Sequence, residues 1–500
     1  MREKILRLAL SAIALVAAAG IFHVRAGETL RLSLDDAIRV AADSSLTAFR
    51  NKNLYYAGYW QWRSFKAARL PQISLELDPA RYYRYITQRY DSEQNIDVFR
   101  SQQIYSASAG LSVTQNVDFL GGEFFLESDI EYLRNFGDMT GNQFSTVPVR
   151  LGYRQNLLGF NARRWERRIE PLRYEKVKRE FIANMEALSE NVVDCFFELA
   201  LAQTELRLAR ENLEAGDTLY TVGERRFRIA SISKSELLSL KLDKVNARNA
   251  LENARIQVKR ASLRLASCLG LDSDTDVEVV IPGKPAIPAI SPETALAMLR
   301  ENSPALMEKR QLTLEAEREV SRTRAEARFN ASVNASVGFN QVATTFPQAY
   351  RNPMRQDIVA LTIAIPLVDW GVRKGKYNMA LSNLNLARAD AGQLAENIGQ
   401  ELLVAIDDMT ACTGIIDGAA EALDIAEEVY SGTCTRFMIG KADINSIVLA
   451  QSRRSEAMRN YIAAIKSFWL NHYKIRRLTL YDFDMQMSIS RVFDIDADVR

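Results

Sequence analysis

Hydrophobic positions along this chain follow two rhythms, and the rhythms alternate in blocks. From Phe181 through Met185, Leu188, Val192, Cys195, Leu199 and Ala202 to Leu213, apolar residues recur every three or four positions. The same spacing returns from Ala395 through Ile398, Leu402, Ala405, Met409, Cys412 and Ile416 to Tyr430. A repeat averaging 3.5 residues keeps one stripe facing a partner helix and predicts coiled-coil packing. Each of these two helices is expected to run for roughly 65 residues, on the order of 100 Å at about 1.5 Å per residue.

Between the helical blocks the period falls to two. Ala107, Ala109, Leu111 and Val113 oppose Ser106, Ser108, Gly110, Ser112 and Thr114. Phe124, Leu126, Ile130 and Tyr132 oppose Phe125, Glu127, Asp129 and Glu131, and Val147, Val149, Leu151 and Tyr153 oppose Arg150, Gly152 and Arg154. With Ile73, Leu75 and Leu77 they predict four strands within 73–158. Val333, Ala335 and Val337, then Val359, Leu361 and Ile363, predict two more within 332–368. Phe119-Leu120-Gly121-Gly122 reads as a tight turn, and the polar stretches 91–103 and 134–146 read as long loops. Short turns on one side and long loops on the other favour a membrane barrel. Alternation alone also fits a half-buried soluble sheet. Both strand counts are even, so each block enters and leaves on the same side.

The blocks themselves are duplicated. Arg226-Phe227-Arg228-Ile229-Ala230 is echoed by Arg436-Phe437-Met438-Ile439-Gly440, and Ser33-Leu34-Asp35-Asp36-Ala37 by Ser291-Pro292-Glu293-Thr294-Ala295. Two repeats are therefore expected: 27–281, with a helix, the strands of 73–158 and a long helical hairpin over 161–271, and 291–480, with a helix, the strands of 332–368 and a hairpin over 372–480. The Pro-rich stretch 282–290 separates them, and 481–500 forms a C-terminal tail.

Composition narrows the compartment and the chemistry. Arg2, Lys4 and Arg7 precede the apolar run Leu8 to Phe22, and Val24-Arg25-Ala26 offers small residues, so 1–26 is expected to be a secretory signal peptide. It carries four basic residues against Glu3, so the formal charge of +2 for the whole chain leaves about −1 for the remainder. No nucleic-acid partner follows from that balance. No later apolar run reaches transmembrane-helix length, which leaves a closed β-barrel as the membrane-spanning option. Tyr82, Tyr83, Tyr85 and Tyr90 fall where an interfacial girdle would lie. Cys195, Cys268, Cys412 and Cys434 fall in predicted helices; Cys195 and Cys412, on the apolar stripes, read as buried free thiols, although export permits pairing. Of two histidines, His23 lies in the expected signal and His472 stands alone in the final helix. There is no phosphate-cradling loop, HExxH or nucleophile elbow, so neither an enzyme nor a cofactor or metal site is expected.

The order helix, strands, long helix, turn, long helix, written twice, resembles the TolC family of outer-membrane efflux proteins over about Leu32 to Leu480. The resemblance rests on Leu32-Ser33-Leu34-Asp35-Asp36-Ala37-Ile38, on Leu70-Pro71-Gln72, on Leu158-Gly159-Phe160 and Asp369-Trp370-Gly371, and on the two hairpin tips. It implies an α+β membrane protein: a homotrimer whose transmembrane β-barrel, set in outer-membrane lipid, continues into a long α-helical periplasmic tunnel. It further implies a passive exit duct for efflux or type I secretion, met at its tips by a periplasmic adaptor that joins it to an inner-membrane RND or ABC pump. Familiar members have two strands per copy; three chains of six would make a barrel of eighteen, unless the hairpin around 104–133 caps the pore.

The expected docking residues are Arg226, Phe227, Ile229, Arg436, Phe437, Ile439 and Gly440, with closure of the hairpin inside one chain as their structural alternative. The family often has acidic residues just beyond the second tip; here Ser446 occupies such a place, and a carboxylate ring at the periplasmic entrance falls to Asp443 or Glu236. Both also suit ordinary helix starts. Ser108, Ser112, Thr114, Asn334 and Ser336 are the expected pore-facing strand residues. A periplasmic coiled-coil scaffold without a pore is the competing class.

Overall fold

The computed structural model describes residues 30–91, 95–136, 140–272, 275–285, 289–439 and 441–489. The expected signal segment, Gly440, part of the Pro-rich stretch and the end of the tail lie outside them.

The duplication is visible in element lengths. In the first copy α1 (Leu34–Ser44, 11 residues) and α2 (Leu46–Ala67, 22) lead to strands, then α3 (Ala162–Arg228, 67) and α4 (Lys234–Leu269, 36). In the second, α5 (Pro292–Asn302, 11) and α6 (Pro304–Glu326, 23) lead to strands, then α7 (Val372–Met438, 67) and α8 (Ile444–Thr479, 36). The two hairpins correspond position for position, from Ala162 against Val372 to Leu269 against Thr479. Their caps correspond too. Ser233 and Asp443 cap the starts of α4 and α8, and Gly270 and Leu480 end them in the left-handed region. A left-handed C-cap frees the last carbonyls to be met by following amides. Ahead of the strands Leu34 matches Pro292, and the stretch from there to the hairpin is longer in the first copy.

That added length builds strands. Strands β2 (Gln72–Asp91), β3 (Ile96–Val117), β4 (Gly122–Phe136) and β5 (Gly141–Asn156) come from the first copy. Strands β7 (Asn330–Ala343) and β8 (Met354–Ala364) come from the second. They form one antiparallel sheet in the order β2-β3-β4-β5-β7-β8. The segment 104–133 is paired on both sides within this sheet.

The stretch 91–103 does not form the expected long loop. Pairing of β2 with β3 continues to Asp91 and Ile96, so 96–103 is strand. The loop at 134–146 shortens likewise, with β4 reaching Phe136 and β5 starting at Gly141. Polar side chains do not prevent pairing where the backbone of each strand satisfies its neighbour. Strands of 20 and 22 residues exceed the 9–11 or so that cross a bilayer.

The chain divides into two compact units. One holds the residues up to Leu54, Arg179–Ser303 and those from Ile398 onward; the other holds Tyr55–Lys178 and Pro304–Asn397, including the sheet. Within the first, the strand β1 (Leu30–Leu32) pairs in parallel with β6 (Val277–Val279). The apolar stripe of α3 is buried at Leu188, Val192, Cys195, Leu199 and Ala202. Leu402, Ala405, Met409, Cys412 and Ile416 of α7 pack with Ala464, Phe468 and Leu478 of α8. Arg476 crosses from α8 to Glu186 of α3 at 2.9 Å and to Asp482 at 2.6 Å, in β9 (Tyr481–Asp482), which pairs with β10 (Met487–Ser488). A buried Glu186 requires that partner.

Candidate functional site: a two-faced sheet and the hairpin tips

Register carries the apolar residues of the sheet into continuous rows. Ile73 faces Val113, Val113 faces Leu126, Leu126 faces Leu151 and Leu151 faces Val337; on β8 the row ends at Asp357, which pairs with Arg355. Ile73, Leu75 and Leu77 are exposed, as are Leu111, Leu126, Leu151, Val359, Leu361 and Ile363. The 3-10 turn Gln348–Tyr350 lies against this face at β5 and β7, where the Thr146 hydroxyl donates to Ala349 O at 2.5 Å, and the residues just named stay exposed. An apolar surface this extensive is not left in water.

The opposite face is polar. One row runs Ser74, Ser112, Glu127, Arg150, Gly338, Gln356, and the next Thr114, Phe125, Gly152, Ser336. All five expected pore residues lie on this face, Ser108 opposite Glu131 and Asn334 opposite Arg154. Their neighbours are charged. Arg150 Nε donates to Glu127 at 3.0 Å, and Arg154 pairs with Glu123 at 3.7 Å. Phe125 lies over Gly152, the one residue that leaves room for its ring, with Arg154 on its face at 5.1 Å. This face is thus more charged than small hydroxyls alone suggest. The period-two pattern already contained Glu127, Arg150 and Arg154; only their pairing across strands was hidden.

At the tip of the first hairpin, the Ser231 amide donates to Arg226 O at 2.8 Å and Ala230 takes φ of 57°. The second tip repeats the bond, Lys441 to Arg436 O at 2.8 Å. Arg226 then reaches across. Its Nη2 donates to Phe437 O at 2.8 Å and Met438 O at 3.4 Å, and its guanidinium lies 4.9 Å from the Phe437 ring centroid. Phe437 is accordingly buried, while Phe227, Met438, Ile229 and Ile439 are exposed, the last two by 75% and 63%. Arg436 is exposed as well.

Arg226, Glu236, Arg436, Asp443 and Ser446 line one cleft between the two tips. Glu236 closes a capping box, accepting from the Ser233 amide at 2.7 Å, and Asp443 accepts from the Ser446 amide at 2.8 Å. These bonds hold both carboxyls below their ordinary values: the Ser233 amide and hydroxyl for Glu236, the Ser446 hydroxyl and amide for Asp443. Within one chain both serve as helix starts.

Sequence reasoning missed a polar set above the tips. In the first copy Lys244 pairs with Asp217 at 2.7 Å and lies over Tyr220. At the corresponding place in the second, Arg454 lies 3.8 Å from Glu427 and over Tyr430. Arg454 also bonds Glu211 of the first hairpin at 2.8 Å. A guanidinium offers donors in several directions where an ammonium is a point charge. The shared spacing of Asp217-Tyr220-Lys244 and Glu427-Tyr430-Arg454 was the signal available.

Among the described residues, no helix is long and apolar enough to cross a membrane and no cluster could hold a metal ion. No curated protein sequence matches the chain significantly. In fold it is similar to the CmeC outer membrane channel of Campylobacter jejuni (TM-score 0.64, 13% identity, 93% of this chain and 90% of that one). It is also similar to the outer membrane protein VceC of Vibrio cholerae (TM-score 0.63, 14% identity, 89% and 96%) and to a membrane protein of Pseudomonas aeruginosa (TM-score 0.63, 15% identity, 89% and 90%). The model of the outer membrane efflux protein family matches residues 61–271 and 295–478. The chain therefore belongs to the outer membrane efflux protein family: it is a TolC-like efflux channel of the outer membrane, with a periplasmic helical extension, and not an enzyme.

Proposed function

We propose that this channel is the passive exit duct of a tripartite efflux or secretion system, working as a homotrimer. The observation that carries the reading is the sheet: an apolar exposed face, a charged opposite face and two edges, β2 and β8, that no strand of the described chain covers. An unpaired edge inside lipid is prohibitive, so the sheet closes on other copies. Joining β8 of one chain to β2 of the next gives three sheets of six, an eighteen-stranded barrel with the polar face as its lumen. The two repeats, divided near 282–290, supply the wall between them.

The helical tips are the docking surface for a periplasmic adaptor, itself bound to an inner-membrane RND or ABC pump. Ile229, Ile439 and Phe227 supply apolar contact and Arg436 a hydrogen-bonding cation, with Gly440 beside them in sequence. Arg226 and Phe437 hold the two tips of one chain together, so their effect on docking is through tip geometry. Asp443 and Glu236, repeated three-fold, ring the entrance.

The test is mass spectrometry of proteins co-purified after mild cross-linking and detergent extraction. An adaptor with a proton-driven pump would make it a small-molecule duct, and an adaptor with an ABC transporter would make it a secretion duct. Recovery of a monomer free in the periplasm, without either partner, would overturn the reading.

A further inference from the structure

Two antiparallel helices leaving one turn bring together residues equally far from that turn. Cys195, counted back from the end of α3 at Arg228, and Cys268, counted forward from the start of α4 at Lys234, stand at nearly the same remove. Their Sγ atoms are 2.8 Å apart, about 50 Å along the helices from the tip. A disulfide needs S–S of about 2.05 Å, less than about 1 Å of further approach. At the corresponding positions the second hairpin carries Ala405 and Leu478, both buried, so hairpin packing does not itself call for cysteine here. Cys412, which is buried, and Cys434, which is half-buried, both lie on α7.

We propose that Cys195 and Cys268 form an intramolecular disulfide in the exported protein, cross-linking α3 to α4 away from the tip. The two thiols have unequal roles. Cys195 is 1% exposed, whereas Cys268 is half-buried and receives the Asn191 side-chain amide at 3.5 Å, with the Arg264 guanidinium nearby. The hydrogen bond with Cys195, then Asn191 and Arg264 acting against burial, bring the Cys268 thiol down to about 7. The same bond and burial push Cys195 up. Cys268 is thus the thiolate accessible to an oxidant, and Cys195 the resolving thiol behind it.

The oxidant is a protein disulfide of the periplasmic thiol–disulfide oxidoreductase class, acting on the folded hairpin. The Cys268 thiolate attacks one sulfur of that disulfide, and the other leaves as a thiolate. Cys195 gives its proton to water and attacks Cys268 Sγ, expelling the oxidant's first sulfur. The pair loses two protons and two electrons, and the oxidant leaves as a dithiol.

Protein taken from outer membranes, acid-quenched and alkylated in denaturant, reports the state directly. Without reductant, two of the four cysteines (Cys412 and Cys434) are expected to react; after reduction all four react, and the non-reduced digest contains the Cys195–Cys268 cross-linked peptide. Cys195→Ser and Cys268→Ser should each leave three reactive thiols without reductant. Cells lacking the oxidoreductase should yield the four-thiol form. Four reactive thiols in the native protein, or a cross-link between any other pair, would overturn the proposal, and this holds even if neither variant folds.

Discussion

The two copies of this chain agree in their helices and disagree in their strands. From the first turn of α3 to the end of α4, every position has its counterpart in α7 and α8 without insertion, whereas the strand blocks differ by a whole hairpin. A helical hairpin in a coiled-coil wall cannot take an insertion without rotating its apolar stripe off the partner. A sheet can take one, provided it comes as a whole antiparallel hairpin, which preserves strand direction and leaves both ends on the same side. The copies also use corresponding positions differently. Arg476 and His472 of α8 fall at Ala266 and Ser262 of α4, and Arg454 falls at Lys244.

Removing β3 and β4 would make the strand blocks equal and is the severest test of that contrast. If the hairpin is part of the wall, the shortened chain pairs β2 with β5 and assembles twelve strands. Pore diameter then falls by about a third, seen as a large drop in single-channel conductance. An unchanged conductance would remove the hairpin from the wall.

Arg476→Ala takes away the cation that pairs with buried Glu186 and Asp482, a feature the first copy lacks. Thermal or denaturant unfolding should register a loss of about 3–5 kcal/mol. Lys474→Ala, on a more exposed pair with Glu401, should cost far less.

His472 is buried against Phe468 and Tyr473, and burial first, then the Arg476 charge, lower its pKa to about 4. The unfolded chain therefore takes up a proton that the folded chain refuses. Stability is complete above the unfolded value near 6.5, declines as pH falls from there to about 4, and is lost below, on the order of 3 kcal/mol in all. His472→Gln should flatten the pH dependence of unfolding across that window. An unchanged slope would mean that the histidine binds its proton equally well in the folded and unfolded chain.

Arg454→Lys keeps the contacts shared with Lys244 and gives up the reach to Glu211. A double-mutant cycle with Glu211→Gln is expected to show about 1 kcal/mol of coupling for Arg454 and little for the lysine. Ala230→Gly, which gives the first tip the residue found at Gly440, relieves a left-handed alanine and should raise stability by at most about 1 kcal/mol.

Much of this was legible from spacing. The 3.5-residue stripes lie on α3 and α7, the alternating sets lie on β3, β4 and β5, and Ser33 caps α1 by accepting from the Asp36 amide. The strand ends at 96–103 and 141–146 were not legible, because apolar alternation fades there while backbone pairing continues. At the tips, Arg226 and Arg436 open the same motif, and nothing in that motif says that only the former grips Phe437. Contacts between the copies depend on how two hairpins lie together, and no local pattern encodes that. Cys195 and Cys268 are the intermediate case: counting from a common turn pairs them, but only once the turn is placed.

Closure of the sheet between chains is the claim on which the duct depends. It is tested most directly by single cysteines along β2 at Ile73, Leu75 and Leu77, combined with cysteines along β8 at Val359, Leu361 and Ile363, in a chain with its native cysteines replaced. In intact outer membranes the account predicts oxidation to a covalent trimer for the matching register, with mismatched pairs staying monomeric. Cross-linking at no register, or a ladder that ends at dimer, would contradict it.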